Sequence, residues 1–249
     1  MRKLVFLFFL IIFPLHAIFA RFNIDPEVNR FCVKQGKKVK GRIYVQSDES
    51  CNFNVEIEDW THEIKEGVEW VRLKPAAFTV EPGKKKKVKW SAKIPKDADG
   101  DLTLRFFFSK IKDMEKGFSI GTRVASSQYI TVLGTEDPGA GISEFKLEKA
   151  TEGIFNYAVL VNTGNVRLST RGYFLLEDVE KGTEERKELV PSVINRGKSL
   201  KFSSLFSEVK PGKYRAIVCI FYTDRTGTER ELRKEKYFDM SKNGIIELK

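Results

Sequence analysis

The sequence predicts an all-β chain of two tandem β-sandwiches behind an N-terminal leader, on three observations. Apolar and polar residues alternate with period 2 along most of the chain, while helical periodicity is weak everywhere. The alternating runs are short, and turn residues bound each of them. One stretch rich in Gly near the middle interrupts the pattern, which then restarts. The 249 residues fit one or two domains. With 41% hydrophobic and 31% charged residues there is enough apolar material for cores, which excludes wholesale disorder.

The chain begins with the short basic segment Met1-Arg2-Lys3. An apolar stretch from Leu4 to Leu15 follows, interrupted only by Pro14, and Ala17-Ile18-Phe19-Ala20 offers a cleavage site. This is the layout of a secretory signal peptide over residues 1–20. The core from Leu4 to Phe13 is short for a membrane span, which needs about 20 apolar residues. The rival reading is an uncleaved anchor extended through Ala20. No Cys follows the apolar core, which argues against a bacterial lipoprotein. Removing Arg2 and Lys3 from the 44 basic residues leaves 42 against 34 acidic, a mature charge of +8.

In the first unit, residues 21–133, Val39, Gly41, Ile43 and Val45 alternate with Lys38, Lys40, Arg42 and Tyr44. Phe53, Val55 and Ile57 keep the same period. Val88, Trp90, Ala92 and Ile94 alternate with Lys87, Lys89, Ser91 and Lys93. Leu102, Leu104, Phe106 and Phe108 make a further strand, and Phe118, Ile120, Thr122 and Val124 another. The turns between them fall at Gln35-Gly36, Ser47-Asp48, Pro82-Gly83, Asp99-Gly100 and Lys116-Gly117. Residues 134–142 read as a linker with no large apolar residue before Ile142.

In the second unit, residues 143–240, Phe155, Tyr157, Val159 and Val161 alternate before the turn Asn162-Thr163-Gly164-Asn165. Tyr173, Leu175 and Leu176 belong to another strand. Pro211-Gly212 leads into Tyr214, Ala216, Val218, Ile220 and Tyr222, with Ile217, Cys219 and Phe221 on the opposite face. That strand is expected to be buried on both sides. Asp224-Arg225-Thr226-Gly227 turns into a last strand near Arg230–Phe238, and residues 241–249 are a tail. Each unit has the size of one immunoglobulin-like domain.

The first unit carries "Phe22-Asn-Ile-Asp-Pro26", "Gln35-Gly36-Lys37", "Trp70-Val-Arg-Leu-Lys-Pro75", "Phe78-Thr-Val-Glu-Pro-Gly83", "Ile94-Pro95" and "Asp99-Gly100-Asp101" in this order. Over residues 22–133 it resembles the N-terminal immunoglobulin-like domain of periplasmic pilus-assembly chaperones. The WxL-interacting cell-surface proteins of Gram-positive bacteria share the phrase order. The second unit, with "Val161-Asn-Thr-Gly-Asn-Val166" and "Val209-Lys-Pro-Gly-Lys-Tyr214", resembles fibronectin-III-like or adhesion modules.

The chaperone resemblance implies that the last strand of the first unit lends alternating apolar side chains to an unfinished subunit, by strand addition. Phe118, Ile120, Thr122 and Val124 have the period for that role. The competing reading is that they pack their own core. The resemblance also implies an Arg on the first strand and a Lys at the end of the donor strand, gripping a subunit carboxylate. Phe22–Val33 offers only Arg30, and Gln128–Gly134 holds no Lys or Arg, so those roles are not carried over.

In this fold the second strand and the Lys-rich strand would lie side by side. Lys38, Lys40, Arg42, Lys85, Lys87, Lys89 and Lys93 would then share one outward face. Such a patch attracts anionic wall polymers or membrane surfaces. Its other reading is a solvated face whose lysines discourage edge pairing. A secreted chain without exposed aromatics among its cations is not a nucleic-acid binder.

Three cysteines and two histidines, His16 and His62, without Cys-x-x-Cys exclude a disulfide scaffold and a zinc finger. Cys32 and Cys51 flank a full strand and so lie too far apart for a disulfide. Cys219 is expected as a buried free thiol. Asp97, Asp99 and Asp101 read as a solvated turn, with a calcium site as the lesser alternative. Glu56, Glu58, Asp59, Glu63, Glu66 and Glu69 around His62 read as a hydrated acidic loop, and Trp60 and Trp70 as core anchors. No nucleophile elbow, phosphate loop or paired-His motif is present. No catalytic residue, cofactor or metal is therefore expected. The expected protein is a non-catalytic secreted module of the periplasm or cell surface. It would bind a protein partner, such as a pilus or surface subunit, through strand edges and sheet faces. The alternative is an adhesion module using the Lys face.

Overall fold

A computed structural model describes residues 22–61, 66–111, 122–241 and 244–248. It forms two antiparallel-dominated β-sandwiches, each with its own apolar core. The sequence expectation of tandem all-β sandwiches holds.

The first sandwich uses nine strands: β1 (Phe22–Asp25), β2 (Val28–Val33), β3 (Lys38–Ser47), β4 (Cys51–Asp59), β5 (Val71–Lys74), β6 (Ala77–Val80), β7 (Lys85–Lys93), β8 (Asp101–Ile111) and β9 (Arg123–Val132). One turn of helix, α1 (Glu66–Glu69), precedes β5. One sheet has the order β1-β3-β7-β5 and the other β2-β9-β8-β4-β6. The first stretch of chain is thus split between the sheets. β1 pairs antiparallel with the end of β3, and β2 pairs parallel with β9. Pro26, with no N–H to donate, lies in the crossover between them.

Period 2 decides what enters the core. Val39, Ile43 and Val45 of β3 and Val88, Trp90 and Ala92 of β7 face inward and are buried, as the alternation predicts. Leu104, Phe106 and Phe108 of β8 and Phe53 of β4 close over them from the other sheet with no exposed surface. Each such side chain contributes about 1.5–3 kcal/mol of apolar burial.

The second sandwich uses β10 (Ala140–Ala150), β11 (Gly153–Asn162), β12 (Leu168–Asp178), β13 (Thr183–Glu188), β14 (Ser192–Ile194), β15 (Ser199–Ser207), β16 (Gly212–Thr223), β17 (Glu229–Ser241) and β18 (Gly244–Leu248). One sheet runs β10-β11-β15, the other β13-β12-β16-β17-β18, with β14 beside β12. β18 lies in the stretch read from sequence as a tail and pairs with β17. Central β16 buries both faces, with Ile217 and Cys219 on one side and Ala216, Val218 and Ile220 on the other.

The three cysteines are free thiols, Cys32 exposed and Cys51 and Cys219 buried. Burial pushes the Cys219 thiol upward, and its contact with the Glu231 carboxylate adds to this.

The turn after β12 is held by Asp178. Its carboxylate accepts the N–H groups of Glu180 and Lys181 at 3.1 and 3.0 Å and the Lys181 ammonium at 2.6 Å. The Lys181 hydrogen bond, more than any other cause, holds this carboxyl below its usual range. The folded value is therefore below the unfolded one. The stabilisation is full above the unfolded carboxylate value of about 3.9 and is lost as pH falls through the folded value. Asp178→Asn should lower the urea midpoint at pH 7, and the gap to the native chain should narrow toward pH 2–3. An equal gap at both pH values would refute the charge contribution.

Candidate functional site

Three surfaces of the molecule gather the groups that sequence analysis singled out: the outer edge of β9, the outer face of the β3–β7–β5 sheet, and the seam between the sandwiches.

β9 pairs with β8 along its length, from Arg123 to Thr131, but β2 covers its other side only from Ser127 onward. Among the described residues, no strand pairs with the outer side of Arg123–Ser126. The Ser127 N–H donates outward to the Glu27 carbonyl at 2.7 Å. Because lateral direction repeats every second residue, the backbone groups of Ala125 and Arg123 point to the same open side. The inward row of the strand is Val124, Ser126, Gln128, Ile130 and Val132. Its middle is polar: Gln128 donates to Ser126 Oγ at 2.7 Å, and Ser126 donates to the Pro26 carbonyl at 2.6 Å. Of the candidate donor residues, Val124 is partly buried against the first core, which is the self-packing reading for that residue. Thr122 is exposed just before the strand, and its carbonyl accepts the Lys110 N–H at 3.1 Å. Phe118 and Ile120 lie outside the described residues.

On the outer face of the same sheet, Arg123 reaches Glu56 at 3.0 Å and Glu58 at 2.9 Å while lying over the Phe107 ring. The described part of the acidic stretch is therefore not a hydrated loop. Glu56, Glu58 and Asp59 belong to β4, and Asp59 turns inward to accept the N–H groups of Thr61 and Gly67. Glu69 lies in α1, whereas His62 and Glu63 are outside the described residues. Trp60 is not a core anchor. It is 39% exposed, stacks under Arg105 and donates to Glu58. Trp70 packs, partly buried, against the core.

The basic face forms as the alternation predicts. β3 and β7 are neighbours, and Lys38, Lys40, Arg42, Lys85, Lys87, Lys89 and Lys93 are all exposed on their outward rows. β5 extends the face with Arg72 and Lys74, which sequence reading missed. The signal was the alternation Val71-Arg72-Leu73-Lys74, too short to assign to a sheet. Cross-strand register sets Lys38 opposite Lys93, Arg42 opposite Lys89, and Lys89 opposite Lys74. Like charges directly opposite each other are destabilising, by several tenths of a kcal/mol up to about 1 kcal/mol per pair. None of the nine cations makes an ion pair among the described residues.

The seam is a dense polar joint. Asn165, in the turn between β11 and β12, donates its side-chain amide to Asp99 at 2.9 Å and to the Thr135 carbonyl at 2.7 Å. Its amide oxygen accepts the Asp137 N–H at 2.7 Å, and its backbone carbonyl accepts the Asp101 N–H at 2.8 Å. Asp101 accepts the Arg167 N–H at 2.7 Å, and Arg196 grips Asp99 through both the carboxylate and the carbonyl. Arg167 lies 4.2 Å from the Tyr129 ring, and Arg225 reaches Cys32. Asp99 and Asp101 are thus neither a solvated turn nor a calcium site. They are anchors between sandwiches, while Asp97 stays exposed. Among the described residues no group of three His, Cys, Asp or Glu side chains is placed to hold a metal ion.

No family model and no curated protein matches the sequence. Solved structures do. The class 5 fimbriae chaperone CfaA is 15% identical, with a TM-score of 0.47, covering 86% of this chain and 98% of that one. The Escherichia coli chaperone DraB is 10% identical, with a TM-score of 0.45, covering 89% and 98%. A chain of the chaperone–tip adhesion subunit pre-assembly complex of the Csu pili of Acinetobacter baumannii is 10% identical, with a TM-score of 0.47, covering 86% and 98%. The similarity extends across both sandwiches.

Proposed function

We propose that this chain is a non-catalytic protein-binding module of the cell envelope, chaperone-like or surface-assembling, exported by its leader to the periplasm or cell surface. It holds another polypeptide by strand addition along the open side of β9. The observation that supports this reading is the outer edge at Arg123–Ser126, uncovered among the described residues, where β2 has not yet begun and the backbone groups of Arg123 and Ala125 face outward. A partner strand would complete the ladder there. In this reading the alternating row Phe118, Ile120, Thr122 and Val124 supplies the side chains that set the partner's register.

Proline at position 125 tests it. Ala125→Pro removes an outward N–H without removing a bond to β8, so the domain should stay folded. Pull-down from the native envelope, washed at high salt, should recover a discrete protein with the native chain. The variant should recover at least tenfold less. Equal recovery, with unchanged circular dichroism, would refute strand addition at this edge. The nine cations, without an ion pair among the described residues, support a second reading, adhesion to an anionic surface. That reading predicts material released by salt and unaffected by Ala125→Pro.

A further inference from the structure

The two ends of the larger sheet in the second sandwich are not protected alike. β13, at one end, reads Thr-Glu-Glu-Arg-Lys-Glu, with five charged residues in six. A charged edge discourages pairing with another chain. β18, at the other end, reads Gly-Ile-Ile-Glu-Leu. Its one charged side chain is engaged within the chain, because Glu247 meets Lys236 at 2.6 Å. β17 pairs with one side of β18, and among the described residues no strand pairs with the other. The backbone groups on that side need a partner strand or water. The side chains sort by period 2. Ile245 packs against the core, while Ile246 and Leu248 stand on the outer face, 62% and 43% exposed. Tyr237 of β17 lies opposite Leu248 and extends this apolar row.

A second copy of the same strand fits this edge. Around a two-fold axis perpendicular to the sheet the two strands run antiparallel. The backbone groups of successive residues point to alternate sides of a strand, so residues of the same row must lie opposite each other. The axis therefore passes through one residue. Centred on Ile246, the pairing matches all five residues of β18: Ile246 with Ile246, Ile245 with Glu247, and Gly244 with Leu248. Centred on any other residue it matches three of them or fewer, and centred on Glu247 it sets two carboxylates opposite each other, which is destabilising. The Ile246 register sets no like charges opposite. It also brings the outer rows of both copies to the same side, where they join into one apolar patch. A two-fold interface of this kind is self-complementary and closes at two copies.

We propose that β18 is a dimerisation edge, whose partner is β18 of a second copy of this chain, paired antiparallel about Ile246. The interface is independent of the β9 edge, which belongs to the other sandwich. Five residues a side make a small interface, so the dimer forms and dissociates with concentration.

Sedimentation velocity on the mature chain, from about 5 to about 500 µM, should show monomer passing into a dimer and nothing larger. Ile246→Lys sets two ammonium groups opposite each other at the axis and should weaken the dimer at least about tenfold. Ile246 is exposed, so the circular dichroism and urea midpoint of this variant should be unchanged. Ala125→Pro should leave the dimer intact, which separates this interface from the β9 edge. Cross-linking in a Cys32→Ser background reads the register. Ile246→Cys should give a disulfide-linked dimer under mild oxidation, because position 246 meets itself, and Leu248→Cys should give at least about fivefold less. A monomer at every concentration overturns the proposal. So does a dimer that Ile246→Lys leaves unweakened or that Ala125→Pro dissolves. A ladder of larger assemblies, or equal cross-linking at the two positions, overturns the two-fold register.

Discussion

Gly100→Ala should loosen the joint between the two sandwiches while leaving both folded. Gly100 has a φ of +61°, a left-handed conformation that costs a residue with a Cβ about 1–2 kcal/mol. A Cβ there would also lie 2.0 Å from the Asn165 carbonyl oxygen. That obstacle is backbone and cannot swing aside as a side chain could. The Asn165 turn must retreat, and the Asp101 N–H to Asn165 bond is lost together with the side-chain bonds to Asp99, Thr135 and Asp137. Each is worth about 0.5–1.5 kcal/mol. The two cores share no residue of their main clusters, so each sandwich keeps its own stability. Small-angle scattering should show a larger radius of gyration, and calorimetry should resolve two transitions. Gly134→Ala is the control, with a φ of +83° but open space around the new Cβ. A scattering curve identical to that of the native chain would show that the seam does not orient the sandwiches.

Gly41→Ala should destabilise the core of the first sandwich. A Cβ at position 41 would sit 2.3 Å from Trp90 Cε2 and Nε1. The indole is packed between two other rings. It is 2% exposed, and Phe31 and Phe106 each hold it at a centroid distance of 5.3 Å. Overpacking of this kind costs about 1–3 kcal/mol, a large share of a marginal folding free energy. Trp90→Phe also destabilises by itself, because it leaves a void beside Gly41. The two changes relieve each other, so the double variant should be clearly more stable than the sum of the single losses predicts. Urea midpoints of the four proteins measure the coupling. Strict additivity would mean that the ring and the glycine are not in contact.

What the sequence made legible was local and periodic. The inward rows of β3 and β7 could be read because alternation needs no knowledge of the partner strand, and the basic face followed once those strands were placed together. Trp60 obeys that rule against the expectation from its size. Phe53, Val55, Ile57 and Asp59 are the inward row of β4, and Trp60 follows the outward row of Glu56 and Glu58. The period already put it outside, but its size suggested a core residue. The seam carried no such signal. Asn165 looked like one more turn residue, and Asp99 and Asp101 like hydrated carboxylates. Their partners lie up to 97 residues away and are joined through isolated polar contacts, which leave no periodic trace. The open edge at Arg123–Ser126 was also invisible, since it depends on where β2 begins beside a strand about 100 residues downstream.

The split of the first strand has a kinetic consequence. β2 can take its place only against β9, so closing that sheet joins the beginning of the first unit to its end. Ser126 meets Pro26 across 100 residues of intervening chain. Contacts of such high sequence separation are slow to form, because the loop-closure entropy is lost before the contact repays it. Until they form, β9 is uncovered along its whole outer side and not only at Arg123–Ser126. A newly made chain therefore passes through a stage in which it is stickier than the finished one. The length of that stage is set by how soon residues 28–33 find residues 127–132.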